Sequence, residues 1–235
     1  MHILVSCDIH YYFMHLKQWD LHPEEFHNLT IAGRTLPESR WSTAWGRSYT
    51  YSGATNPVRP ILPEQEGAMV ADLITRANAL TSAIAQQPLS GGYVQGSHGT
   101  ESESSSSSSS SKSSSDSYSK PYNGCLQNWY LPEHSIGLHA DDQRAMKPGI
   151  PIFSLSWGGP RRFLFRPKPA YLPDSPQPSP MKATGAKVEL VLRDGDLLVM
   201  GGTCQKTHKH EVPKLRKTMD LPTGRRINWT VRAFA

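Results

Sequence analysis

Cysteine is scarce in this chain: Cys7, Cys125 and Cys204 are the only three among 235 residues, far apart and in no Cys-x-x-Cys pair. An odd, scattered set offers neither a disulfide framework nor the paired thiolates of a structural zinc site, so a reducing intracellular setting, nucleus or cytoplasm, is expected. Long apolar runs are missing as well. The apolar start at residues 3–5 is far shorter than a signal-peptide core, and no stretch approaches the roughly 18 apolar residues that span a bilayer, so no membrane association is expected. Acidic residues are outnumbered, 20 against 25 Lys and Arg, for a formal charge of +5. Much of the surplus lies between Arg161 and Arg232. It permits a polyanionic partner, because Lys and Arg that neutralise phosphates release counterions, although a basic run is also what a solvated face looks like.

The length suits one domain with a sizeable core. Apolar residues recur at Met69, Val70, Leu73, Ile74, Ala77, Leu80 and Ile84, the stripe of an amphipathic helix over residues 68–87 that Pro88 ends. After Gly91 the composition collapses into serine, and residues 91–119 have nothing to bury and are expected to be disordered. The first ninety residues offer one good helix and scattered aromatics, a poor basis for an independent core, so the serine tract reads as an insertion within one domain and not as an interdomain linker. Beyond it come short strands. Residues 150–156 and 162–165 flank the punctuation Gly158, Gly159, Pro160, and Val188, Leu190 and Leu192 alternate with polar residues. Asp194-Gly195-Asp196 then turns the chain into residues 197–200, which reads as a hairpin, and residues 227–234 alternate again. The pattern predicts a mainly β fold with flanking helices, an antiparallel sandwich or jelly roll.

Residues two apart on an extended segment share a face, so His139-Ala140-Asp141 can present an imidazole and a carboxylate side by side. His210, within His208-Lys209-His210-Glu211-Val212-Pro213-Lys214, could complete a two-His, one-carboxylate face, the geometry that leaves positions open for oxygen chemistry at Fe(II). On the last strand Arg226, Asn228, Thr230 and Arg232 fall on one face and Ile227, Trp229, Val231 and Ala233 on the other. Such a polar row suits a dicarboxylate, since a guanidinium fork binds a carboxylate bidentately where water is excluded. Asn128 and Tyr130, with the same spacing, can point into that space.

Asn128-Trp129-Tyr130, His139-Ala140-Asp141-Asp142, Arg162-Phe163-Leu164-Phe165-Arg166, Gly195-Asp196-Leu197-Leu198-Val199-Met200, His210-Glu211-Val212-Pro213-Lys214 and Arg226-Ile227-Asn228-Trp229-Thr230-Val231-Arg232 together resemble, in order and spacing, the AlkB-like dioxygenases. The likeness covers everything from Asn128 to the end. It extends more weakly to residues 41–53, where Tyr49-Thr50-Tyr51-Ser52-Gly53 is similar to the family's substrate lid. It implies a dioxygenase domain over residues 41–235, interrupted at about 91–119, with residues 1–40 matching poorly. It also implies a double-stranded β-helix (jelly roll) core with Fe(II) on His139, Asp141 and His210. Arg226 and Arg232 would take the two carboxylates of the cosubstrate 2-oxoglutarate, helped by Asn128, Tyr130 and Asn228. His208 competes with His210 for the third ligand position, and Val212-Pro213-Lys214 follows His210 as the family pattern requires. In the family's chemistry O2 splits the cosubstrate to succinate and carbon dioxide while a carbon on nitrogen is hydroxylated and lost as formaldehyde.

Tyr49 and Tyr51 share one face of an extended segment and could sandwich a flat base, with Gln143 reading its polar edge. The resulting expectation is repair demethylation of N-alkylated bases in DNA or RNA. Small residues at Ile31-Ala32-Gly33-Arg34, where some relatives carry a bulky wedge, point to single strands. The rival readings are the same oxidation on a protein side chain or small molecule, and a catalytically silent binding module tethered by the serine tract.

Overall fold

A computed structural model describes residues 17–51, 54–86, 120–141, 143–168, 187–215 and 224–235. Cys7, the apolar start, the serine tract, Ser52, Gly53, Asp142 and the side chain of Gln143 lie outside the described residues.

Helix α1 (Ala68–Gln86) carries no glycine or proline, and its stripe of Met69, Val70, Leu73, Ile74, Ala77 and Leu80 packs into the main core. It covers one face of a six-stranded sheet in the order β12 (Leu197–Met200), β9 (Ile152–Gly158), β14 (Arg226–Arg232), β7 (Gly124–Tyr130), β3 (Trp41–Trp45), β6 (Val58–Arg59). Every pairing in it is antiparallel except β3 with β6. The central strands β14 and β7 are buried along their whole length, so alternation there separates two kinds of buried surface and not core from solvent. Trp129, Ile227, Trp229, Val231 and Ala233 face the helix side.

The second sheet has four strands in the order β11 (Val188–Leu192), β10 (Arg161–Pro167), β13 (His208–Val212), β8 (Ile136–His139). Two small antiparallel pairs stand apart, β1 (Asn28–Ile31) with β2 (Arg34–Pro37), and β4 (Thr50–Tyr51) with β5 (Ala54–Thr55). Phe163, Phe165, Leu192, Leu198, Met200 and Val212 pack together between the two larger sheets. This is the two-sheet, mainly β architecture of a double-stranded β-helix, with few helices.

One expected element is different. Residues 188–192 and 197–200 do not form a hairpin: β11 pairs with β10 in the four-stranded sheet, and β12 pairs with β9 in the six-stranded one. Asp194-Gly195-Asp196 is a corner between sheets, held by Asp194 Oδ1 accepting from Gly158 N (2.7 Å) and Ser156 O accepting from Gly195 N (2.8 Å). Gly195 sits at φ +79°, a left-handed turn that glycine adopts without steric cost. Alternation states which face a residue takes, not which strand it pairs with.

Arg161 is fully buried at 0% exposure. It donates to the carbonyls of Leu131 (2.9 Å), Pro132 (3.3 Å), Pro213 (3.1 Å) and His134, stapling the turn after β7 to the end of β13. Its guanidinium lies over the Tyr130 ring, 5.5 Å from the centroid, and Arg226 lies over the same ring at 5.1 Å. Arg161→Met keeps the volume and strips a charged donor from four carbonyls, that of His134 buried and the others partly so. The expected cost is about 3 kcal/mol, a fall in Tm of roughly 6–12 °C in thermal denaturation, and a shift below about 2 °C would show that water replaces the guanidinium freely.

Candidate metal and dicarboxylate site

The two sheets enclose a cavity of about 910 Å3, lined by β7 and β14 on one side and by β8 and β13 on the other. His139 ends β8 and is the register partner of His210 on β13, which puts the two rings 4.3 Å apart. Asp141 lies just past the strand. The ligand atoms of His139, Asp141 and His210 all fall within 4.8 Å of one another, so the expected triad converges on one point. His208 is two residues along the same strand, half-buried, and its ring packs edge-on to Phe165.

The surroundings set each group for a cation. His139 Nδ1 lies 2.8 Å from the Gly137 carbonyl. A carbonyl only accepts, so this nitrogen carries the proton, and burial lowers the ring's affinity for a second one, which leaves Nε2 its lone pair. Phe163 stacks on His210 at 5.3 Å and 15°, fixing that ring. Burial pushes the His210 imidazole down to about 3, with His139 beside it adding to the shift, so the ring is neutral at physiological pH. Burial alone would raise the Asp141 carboxyl. The Arg232 guanidinium, by its charge and its hydrogen bond, leads the opposing effects, and the carboxyl is brought down to about 2. Asp141 Oδ1 accepts from Arg232 Nη2 (2.9 Å) and from Tyr49 Oη (3.4 Å), and its backbone N–H donates to Gln205 Oε1 (3.0 Å). Its other oxygen, Oδ2, is buried with no partner, as is His210 Nδ1. Two neutral imidazoles, an ionised carboxylate and an unsatisfied carboxylate oxygen suit a divalent metal with N and O preference.

The expected polar row of β14 does line the cavity: Arg226, Asn228, Thr230 and Arg232 are all there, with Asn128 and Tyr130 opposite on β7. Arg226 is 1% exposed and donates through Nη2 to Ser156 Oγ (2.9 Å). Its Nε and Nη1 have no partner, and among the described residues it has no acidic one. A buried guanidinium without a carboxylate is costly unless an anion arrives to meet it. The residues therefore fit a dicarboxylate. Asn228 is held at both ends, its amide nitrogen donating to Ser154 Oγ and the Leu155 carbonyl (both 2.8 Å) and its oxygen accepting from Thr230 Oγ1 (3.0 Å).

Tyr49 and Tyr51 also line the cavity, but their rings are 5.5 Å apart and tilted by 40°, in contact with each other. A base would have to lie over the pair and not between its members. Gln205, Phe163 and Ser154 line this cavity without having been foreseen, and Ser156, equally unforeseen, supports Arg226 from behind the lining. Ser154 and Ser156 stand two apart on β9, a spacing that could have marked them, whereas nothing local marks Gln205.

Residues 17–232 match the family described as the 2OG-Fe(II) oxygenase superfamily. The human protein named DNA oxidative demethylase ALKBH2 is 40% identical over 97 residues, 41% of this chain and 33% of its own. The rat Alpha-ketoglutarate-dependent dioxygenase alkB homolog 3 is 33% identical over 112 residues, 47% of this chain and 35% of its own. The match thus spans about a third of the length of each of these relatives. The structure of OsALKBH1 superposes with a TM-score of 0.45 at 21% identity, covering 94% of this chain and 90% of that one.

Proposed function

This chain belongs to the 2OG-Fe(II) oxygenase superfamily, with AlkB homologues among its relatives, and on that premise we propose that it oxidatively demethylates N-alkylated bases of DNA or RNA, preferring single strands. The enzyme is a dioxygenase that uses Fe(II), 2-oxoglutarate and O2. The observation that carries the assignment of residues is the convergence of His139, Asp141 and His210 in one cavity with a buried Arg226 that has no acidic partner among the described residues.

When bound, Fe(II) with 2-oxoglutarate and O2 supplies an oxidant for a C–H bond next to nitrogen, and the cosubstrate leaves as succinate and carbon dioxide. His139, Asp141 and His210 would hold the metal. Arg226 would take the distal carboxylate and Arg232 the one beside the keto group. Arg232 also keeps Asp141 ionised, so a single guanidinium serves metal ligand and cosubstrate together. Asn128 and Tyr130 would hydrogen-bond the cosubstrate, and Asn228 lines the same wall with Ser154 braced against it. The hydroxylated product, a hemiaminal, releases formaldehyde without further help from the protein.

Tyr49 and Tyr51 supply an aromatic surface for a flat base, worth about 1–3 kcal/mol of stacking, and Gln143 would read its edge. Arg144, Lys168 and Lys206 line the same cavity, where they can meet the phosphates flanking such a base. Ala32 and Gly33 form the exposed turn of the β1–β2 hairpin, small residues with no wedge to force a duplex open. The expected location is intracellular. Among the described residues no helix is long and apolar enough to cross a membrane.

Incubation with Fe(II), 2-oxoglutarate and N-methylated single-stranded oligonucleotides should release formaldehyde and restore the base. Succinate formed without base repair would move the substrate to a protein side chain or small molecule. The Arg144→Glu/Lys206→Glu variant should raise KM for oligonucleotide about tenfold or more. It should also flatten the dependence of binding on salt by nearly one unit of log–log slope per lost contact, while KM for 2-oxoglutarate stays the same.

A further inference from the structure

Arg40 and Glu38 have no role in the assignments above, yet both are buried, at 3% and 2% exposure. The Arg40 guanidinium is shared three ways. Nη1 pairs with Glu38 Oε1 (2.8 Å), Nε donates to Asn128 Oδ1 (2.7 Å), and Nη2 donates to Tyr51 Oη (3.4 Å). Glu38 in turn accepts from Ser42 Oγ (2.8 Å) and from Tyr51 Oη. Asn56 Nδ2 closes the cluster with contacts to Ser42 Oγ (3.2 Å) and Tyr51 Oη (3.4 Å). Burial works against the charge on Arg40, but Glu38 and the surrounding tyrosines outweigh it and hold the guanidinium above its ordinary value.

The contact between Arg40 and Asn128 decides an orientation. The two ends of an asparagine amide look alike, and their assignment comes from the partners around them. A guanidinium has donors and no acceptor, so the Asn128 atom that faces Arg40 Nε must be the oxygen. The amide nitrogen is then what Asn128 offers to the cavity that it lines. A dicarboxylate needs donors. The reverse orientation would turn a carbonyl oxygen toward the oxygens of the ligand.

We propose that Glu38 and Arg40 are a positioning pair that presents the Asn128 amide nitrogen to 2-oxoglutarate and ties the setting of the lid residue Tyr51 to that end of the cavity. The inference rests on the cosubstrate role given above to Asn128. Glu38 grips the guanidinium and the tyrosine, and the guanidinium grips the amide, so a displacement at one end is felt at the other through three polar contacts, two buried and one partly so. Lysine cannot replace Arg40 here, because one ammonium on a flexible stem does not span Glu38 and Asn128 in a fixed plane.

Calorimetric titration of the Mn(II)-loaded protein with 2-oxoglutarate under nitrogen tests this without turnover. Asn128→Ala should weaken binding about tenfold, the worth of one hydrogen bond to a charged group, and Arg40→Lys should weaken it by a similar factor. Removing one member of a buried pair leaves the other uncompensated, so the Glu38→Gln/Arg40→Met variant, which removes both charges, guards against misfolding and should show the same loss. Adding Asn128→Ala to that variant should cause no further loss, since both act on one contact. Unchanged affinity in Glu38→Gln/Arg40→Met beside a weakened Asn128→Ala, or losses that multiply, would overturn the coupling alone. Normal binding by Asn128→Ala would overturn the role of Asn128 and the coupling with it, and no uptake of 2-oxoglutarate by the unaltered protein would overturn the cosubstrate reading itself.

Discussion

Asp141→Asn should leave a folded protein that no longer binds Fe(II) usefully or turns over. The change is nearly isosteric, so what it removes is charge. Asp141 is the sole anion of the candidate triad, and its Oδ1 holds the buried Arg232 at 2.9 Å. With asparagine there, a divalent cation would enter a cavity that carries Arg232 and Arg226 and no counter-charge at the metal point. At about 4 Å and an effective dielectric near 20, one unit-charge pair is worth roughly 4 kcal/mol, so a loss of at least about a thousandfold in metal affinity is expected. A fall in Tm of roughly 6 °C or more should accompany it, because the buried Arg232 loses its carboxylate partner, a change that costs about 3–5 kcal/mol. Titration with Mn(II) or Fe(II), followed by turnover with saturating 2-oxoglutarate, separates the two losses. Retention of tight metal binding by Asp141→Asn would mean that the cation is held elsewhere.

The site was more legible in the sequence than its support. On β14 both faces are buried but differ in chemistry, so alternating polar and apolar residues stated the wall of the cavity before any fold was known. His139 and Asp141 were legible for the same reason, by spacing along one extended segment. The strand partners were not: the alternation of residues 188–192 is satisfied equally by a hairpin and by the pairing with β10 that the fold adopts. Part of the basic surplus between Arg161 and Arg232 serves the interior and local ion pairs, while Lys168 and Lys206 line the cavity. Arg161, Arg226 and Arg232 point inward and are buried, and Arg162 and Arg166 pair with Glu189 and Glu211. Glu38 and Arg40 left no local signal at all, since their meaning depends on Asn128, 88 positions away from Arg40 in the chain. Residues that touch ligands are constrained in type and spacing and so leave a trace. Residues that hold those residues are constrained by the fold.

Arg226→Met should move two measurements in opposite directions. The Arg226 guanidinium is fully buried, donates to Ser156 Oγ beside the Tyr130 side chain, and leaves Nε and Nη1 without a partner among the described residues. Burial pushes its ionisation down, with Tyr130 opposing, which is the mark of a charge that the fold holds against its own preference. Methionine fills much the same volume without that cost, and replacement of buried ionic groups by apolar ones of similar size is often neutral or stabilising by about 1–4 kcal/mol. The Tm of the ligand-free protein should therefore hold or rise by several degrees. Binding of 2-oxoglutarate should fall, because its distal carboxylate would meet an apolar wall in place of a guanidinium with N–H donors to spare on both of its edges. A charge-assisted bidentate contact in such a place is worth about 3 kcal/mol or more, so KM for 2-oxoglutarate should rise at least about a hundredfold while metal affinity stays near that of the unaltered protein. Arg226→Lys should lie between, retaining charge without the fork. A structural guanidinium would behave in the opposite way, with Tm falling sharply and cosubstrate binding unchanged, and that pair of results would remove Arg226 from the cosubstrate site.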